Sequence, residues 1–133
     1  MHLTVYGEAI PKGSTRAFVV NGKAITTNAN KRTKDWQTLV SLAAQEQKPE
    51  RPLDGAVDIV MFFYLPRPKS VSPKKRPFPT VKPDLDKLQR CILDSLTGIY
   101  FIDDAQVCDI QTSKRYADDG APRVEIYIKE RED

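Results

Sequence analysis

The sequence predicts an α+β domain: a mixed sheet of four or five strands packed against two helices, with a small hairpin near the N-terminus. Three observations carry that prediction. A dense apolar run after Gly55, AVDIVMFFYL, has the length and β-branched content of a central strand, and VCDIQTSKRYA and PRVEIYIKE read as two further strands. Two other stretches show helical spacing of apolar residues, Trp36, Leu39, Val40 and Ala43 in one and Leu85, Leu88, Ile92 and Leu96 in the other. Finally, 133 residues with 40% hydrophobic content can bury one ordinary core, since domains typically run about 100 to 150 residues. No internal repeat is visible, and a single domain spanning 1–133 is expected.

In chain order, Leu3 and Val5 alternate with Thr4 and Tyr6 in a first strand that ends near Gly7. Residues 17–26, AFVVNGKAIT, place Asn21-Gly22 between two short apolar runs, a strong hairpin signal because both residues tolerate positive φ. The preceding PKGSTR lacks the GxxxxGK[ST] spacing of a phosphate-binding loop, so no nucleotide cofactor is expected; Lys12 and Arg16 remain candidates for contacts to a DNA backbone. The first helix is expected over about 34–47, with Trp36 as a core anchor. After the central strand, Pro66, Pro68, Pro73, Pro77 and Pro79 forbid regular structure, so residues 67–82 form a long loop. This loop holds Arg67, Lys69, Lys74, Lys75, Arg76 and Lys82 with no acid among them, which suits phosphate contacts. Its Phe78 fits either a wedge between bases or an anchor into the core. Pro83 excludes a helix before it, Asp84 suits the N-cap of a second helix, and Gly98 lies where the C-terminal cap belongs. The run Ile99, Tyr100, Phe101, Ile102 is too short for another helix and reads as a strand or buried turn.

The chemistry gathers around this second helix. Asp86, Arg90 and Asp94 are spaced four apart and stack on the face away from most of the leucines. Taken alone, such a DxD reads as a cap and a solvated salt-bridge face. Asp103-Asp104, ending the next apolar run, adds carboxylates from a second element, and a hard cation such as magnesium takes its oxygens in that way, from Asp84, Asp86 and Asp104. Other chemistries are excluded. One histidine, His2, cannot build a histidine metal site or a triad, and Cys91 and Cys108 form no CxxC pair and are expected to be buried small hydrophobes. The net charge of +3 understates a basic character segregated from the acidic helix. No apolar run approaches a membrane span, and MHLTVYGEA lacks the pattern of a signal peptide, so a cytoplasmic protein is expected.

Residues 82–107, KPDLDKLQRCILDSLTGIYFIDDAQV, resemble the signature of the RusA family of Holliday junction resolvases, with paired aspartates opening a helix and a DDxQV segment after it. The flanks agree: GEAIPKGSTRAF (7–18) is similar to the family's N-terminal strand and loop, and PRVEIYI (122–128) to its closing strand. The resemblance implies that Asp84, Asp86 and Asp104 bind metal and that Arg90 occupies an important basic position. Many members have lysine at that place, and asparagine where this chain has Lys87. Arginine keeps the charge but is no ready proton donor, so an electrostatic role is expected of Arg90. The implied enzyme is a structure-specific endodeoxyribonuclease with one or two Mg²⁺, for which Mn²⁺ can substitute, cutting four-way junctions in pairs. A nearly two-fold junction is most simply matched by a homodimer. Asp94 would orient Arg90, Asp103 would lie outside the metal ligands, and Lys12, Arg16, Arg67, Lys69, Lys74, Lys75, Arg76, Lys82 and Lys87 would contact DNA. Two rival readings are a non-catalytic DNA-binding module using the basic loop, and an interaction protein whose acidic helix docks a basic partner.

Overall fold

Alternation along one strand sets the architecture. In the computed structural model, β4 (Val57–Leu65) buries Val57, Ile59, Met61, Phe63 and Leu65 and leaves Asp58, Val60, Phe62 and Tyr64 half-buried on the other face. A two-residue side-chain period thus assigns one face of the sheet to the core. Residues 1–13, 16–20, 23–27 and 31–132 are described, with the backbone alone for 16–20 and 23–27.

The main sheet has the order β1-β6-β4-β5, from β1 (His2–Tyr6), β6 (Arg123–Glu130), β4 and β5 (Val107–Tyr116). β6 lies antiparallel to both β1 and β4, whereas β4 and β5 are parallel, so the sheet is mixed as expected. A separate antiparallel pair joins β2 (Arg16–Val20) to β3 (Lys23–Thr27), the expected hairpin; its Asn21-Gly22 turn lies outside the described residues. Two helices cover the buried face. Helix α1 (Lys31–Gln47) begins three residues before the predicted start, because Thr33 is buried and its hydroxyl donates to Pro11 O at 3.1 Å. It seats Trp36, Val40 and Ala44 in the core. Helix α2 (Leu85–Leu96) seats Leu88, Cys91, Ile92, Ser95 and Leu96 and ends at Gly98, whose φ of +86° is the left-handed value a helix C-terminus favours in glycine.

The run from Ile99 to Phe101 is a buried turn, with Tyr100 and Phe101 1% or less exposed. Its hydroxyl and backbone ends are met by Gln47 O (3.2 Å, from Tyr100 Oη) and by Leu53 N (2.8 Å, to Tyr100 O). One expectation fails: Cys91 is buried but Cys108 is exposed. The pairing of β4 with β5 runs Val57↔Val107 and then Asp58↔Asp109, so Cys108 is the extra residue of a bulge on an edge strand and has no place in the core.

Candidate active site

The crossover β4–α2–β5 decides where each acid stands. Because β4 and β5 are parallel, α2 must return the chain along the whole sheet, so its first residues lie at the C-terminal end of β4 and the segment after it at the N-terminal end of β5. Asp84 and Asp86 are at the first end. Asp84 occupies the N-cap position with extended backbone (φ −69°, ψ 137°), as expected, yet its carboxylate makes no capping hydrogen bond. It lies instead between Lys87 at 3.6 Å and Lys82 at 3.8 Å. The turn that presents it is held from β5: Lys114 Nζ donates to Val81 O and Pro83 O, each at 2.8 Å. Lys12 N also donates to Lys87 O at 3.0 Å. Nothing in the sequence marks Lys114 for this role, since a lysine in a strand does not show where its ammonium will reach.

Asp103 and Asp104 are at the other end. Asp103 is the N-cap of a 3₁₀ turn, Asp104–Gln106, and its Oδ1 accepts from Ala105 N at 2.9 Å. Gln106 completes the box: its Oε1 accepts from Ile102 N and Asp103 N, and its Nε2 donates to Leu53 O and Gly55 O, all at 2.8 to 2.9 Å. Both atoms of one amide therefore tie the Asp104 turn to the segment that leads into β4. The Asp-x-x-Gln spacing was a legible capping-box signal, and it explains Asp103 without a metal. A 12-residue helix spans about 18 Å, which keeps Asp104 away from the Asp84–Asp86 end. Among the described residues, no three Asp, Glu, His or Cys side chains gather as a metal-holding group. One chain alone thus offers a cation two carboxylates in one place and a third in another.

The polar face of α2 also differs from expectation. Asp94 pairs with Lys12 (3.2 Å) rather than with Arg90. Among the described residues, exposed Asp86 and Arg90 have no ion-pair partner. A cavity of about 850 Å³ between α1 and α2 is lined by Lys12, Ser41, Leu42, Asp94, Thr97 and Asp104, and a second of about 410 Å³ by Lys12, Lys82, Asp84 and Lys87 among others. Lys12 is common to both. Beneath them, burial pushes the Cys91 thiol up to about 11, which makes it a packing residue and no nucleophile.

The basic loop is anchored to the sheet. Arg67 forks onto Asp118 (2.8 and 2.9 Å), donates to Arg76 O at 2.7 Å, and stacks 4.0 Å above the Tyr116 ring. Arg76 Nε donates to Tyr116 Oη at 2.7 Å. The Arg67 hydrogen bonds hold the Asp118 carboxyl below its ordinary range. Two of the six cations read as DNA contacts therefore hold the loop's shape, while Lys69, Lys74 and Lys75 are exposed. Tyr116 and Asp118, from outside the loop, were not legible as its anchors. The side chain of Arg16 lies outside the described residues.

Against known proteins, the chain is 36% identical over 136 residues to YqaN of Bacillus subtilis (strain 168), described there as an uncharacterized protein, covering 96% of this chain and 94% of that one. Residues 8–129 match the family model described as endodeoxyribonuclease RusA, from before the first helix to the end of the last strand. With a mixed four-stranded sheet, two helices and an aspartate pair opening the second of them, the chain belongs to the RusA family of endodeoxyribonucleases, the Holliday junction resolvases.

Proposed function

We propose that this protein resolves four-way DNA junctions by Mg²⁺-dependent hydrolysis of one phosphodiester in each of two symmetry-related strands, as a homodimer whose active sites are each shared between two copies. Nucleases of this family depend on a divalent cation and act on branched DNA. The single observation that carries the shared site is the separation of Asp84 and Asp86 from Asp104 by the length of α2. Two copies of α2 side by side and antiparallel bring the Asp104 end of one to the Asp84–Asp86 end of the other, and two-fold symmetry makes the exchange reciprocal. Leu42, which lines the same cavity as Asp104, and Ile102, two residues before it, are each 61% exposed and give the Asp104 side an apolar surface suited to such a partner.

In kind, the donor set fits the cation: carboxylate oxygens open to solvent. A divalent cation held there would offset the charge gathering on the phosphate and acidify the attacking water. The chain's own residues do the rest. Arg90, on the same exposed helix face as Asp86, binds the scissile phosphate; Lys82 and Lys87, which pair with Asp84 here, would turn to the flanking phosphates if Asp84 held a cation. Lys69, Lys74 and Lys75 add contacts further along the strand, and the Lys12–Asp94 pair fixes the neighbouring wall.

The test is cleavage of labelled four-way and linear duplexes with and without Mg²⁺. Asp104→Asn keeps the size of the side chain and removes its charge, so junction binding should persist while cleavage falls by orders of magnitude. Near wild-type cleavage by that variant would remove Asp104 from the site.

A further inference from the structure

We infer that Phe78 is a wedge that enters the base stack at the junction and sets the preference for branched over linear DNA. This rests on the resolvase reading and assigns the residue that reads branching. The sequence left Phe78 two roles, core anchor or wedge, and the fold removes the first. Phe78 is 64% exposed, and the anchoring is done by its neighbours: Pro79 is buried, the carbonyls of Arg76 and Pro77 accept from Arg67 at 2.7 and 3.4 Å, and Arg76 is bound to Tyr116. Thr80 N donates to Phe78 O at 2.8 Å, closing a three-residue turn over Pro79.

A large aromatic ring is thus presented from a backbone pinned on both sides, so little conformational entropy remains to be lost when it binds. Its surroundings select the ligand. Lys74 and Lys75 are exposed just before it, Val81 is 44% exposed just after it, and no acid lies between residues 67 and 83. An apolar ring set in a row of cations matches a polyanion with stackable faces, which is nucleic acid; an apolar protein partner would have no use for the lysines. Phe78 stands six positions before Asp84, a span of at most about 20 Å, so the base it displaces lies within about six base pairs of the cut. In the open form of a junction, which a chelator favours, the bases next to the crossover have no stacking neighbour across it, and insertion there costs less than in a continuous duplex. That difference is the source of selectivity.

The experiment places 2-aminopurine at successive positions within six base pairs of the crossover in a four-way junction, and in a linear duplex of the same sequence, and titrates each with full-length protein in chelator so that no strand is cut. Wild-type protein should raise the fluorescence at one position in the junction and not in the duplex. Phe78→Ala should abolish the rise and lower the junction-to-duplex affinity ratio roughly tenfold, since stacking on an aromatic side chain is worth about that factor or more per base. Phe78→Trp should keep both. All three proteins should unfold at the same temperature, because the ring is outside the core. A rise and a ratio that survive Phe78→Ala overturn the wedge, as does a wild-type protein that prefers junctions without any rise. A wild-type protein that neither prefers nor cuts junctions overturns the resolvase reading, and the wedge with it.

Discussion

Arg90 shows how one residue's surroundings decide its chemistry. A helical arginine four residues from two aspartates is ordinarily a salt-bridge partner, but Asp94 is taken by Lys12. Exposed and without an ion pair among the described residues, Arg90 is open to a phosphate. If its part is electrostatic, Arg90→Lys should retain much of the junction cleavage and Arg90→Ala little, measured as single-turnover rates at several salt concentrations. Normal cleavage by the alanine variant throughout would return Arg90 to a solvated helix face. The cysteines differ in the same manner. Cys91 is buried with its thiol pushed up to about 11, and Cys108 stands exposed at the bulge of β5. A chromogenic disulfide reagent at pH 8 should titrate Cys108 promptly in the native protein and Cys91 only on unfolding.

Among the elements, the proline-rich loop departs furthest from expectation. Expected as an irregular loop whose cations all face phosphates, it is instead fastened by Arg67, Arg76, Tyr116 and Asp118. The fastening has a pH signature. The Asp118 carboxyl is held below its ordinary range by the Arg67 hydrogen bonds, so the clamp is at full strength above the unfolded-state pKa and is lost as pH falls through the lower, folded-state value. Carbon-detected NMR should show Asp118 titrating below ordinary aspartates, with Arg67→Ala returning it to the common range and loosening residues 68–80. Unchanged titration in that variant would mean that the clamp does not form in solution. The lysines of the loop act separately: neutralising Lys69, Lys74 and Lys75 should flatten the salt dependence of junction binding by up to about three units of slope, each phosphate contact contributing about 0.9.

For the whole molecule, the parallel crossover is the decisive feature. It puts two carboxylates at one end of the sheet and the third at the other, and in the proposed dimer a second copy would restore the set. This has a distinctive consequence. In a mixed dimer of Asp86→Asn and Asp104→Asn chains, one shared site carries both substitutions and the other carries neither. Equal mixing of two inactive proteins should therefore restore about a quarter of the wild-type sites, and each junction bound to a mixed dimer should be nicked in one strand rather than resolved. Absence of any complementation, with exchange of subunits verified by a label, would place the complete site within one chain.

Much of this protein was determined by its sequence alone. Local patterns fix local structure: the alternation in AVDIVMFFYL, the apolar spacing from Leu85 to Leu96, Gly98 at a positive φ and the Asn21-Gly22 signal each specify an element through forces acting over a few residues, and the strands and helices appear where those patterns lie. The acids of the family signature were legible in the same way, because their spacing is a property of the chain. Their separation was not. Whether Asp84 and Asp104 meet depends on the direction of β5 relative to β4, a long-range pairing that leaves no mark in either segment. The partners of Arg67, Asp94 and Lys114 were decided likewise by tertiary structure, since a charged side chain pairs with whichever group the fold delivers within about 4 Å, and sequence distance does not limit which group that is.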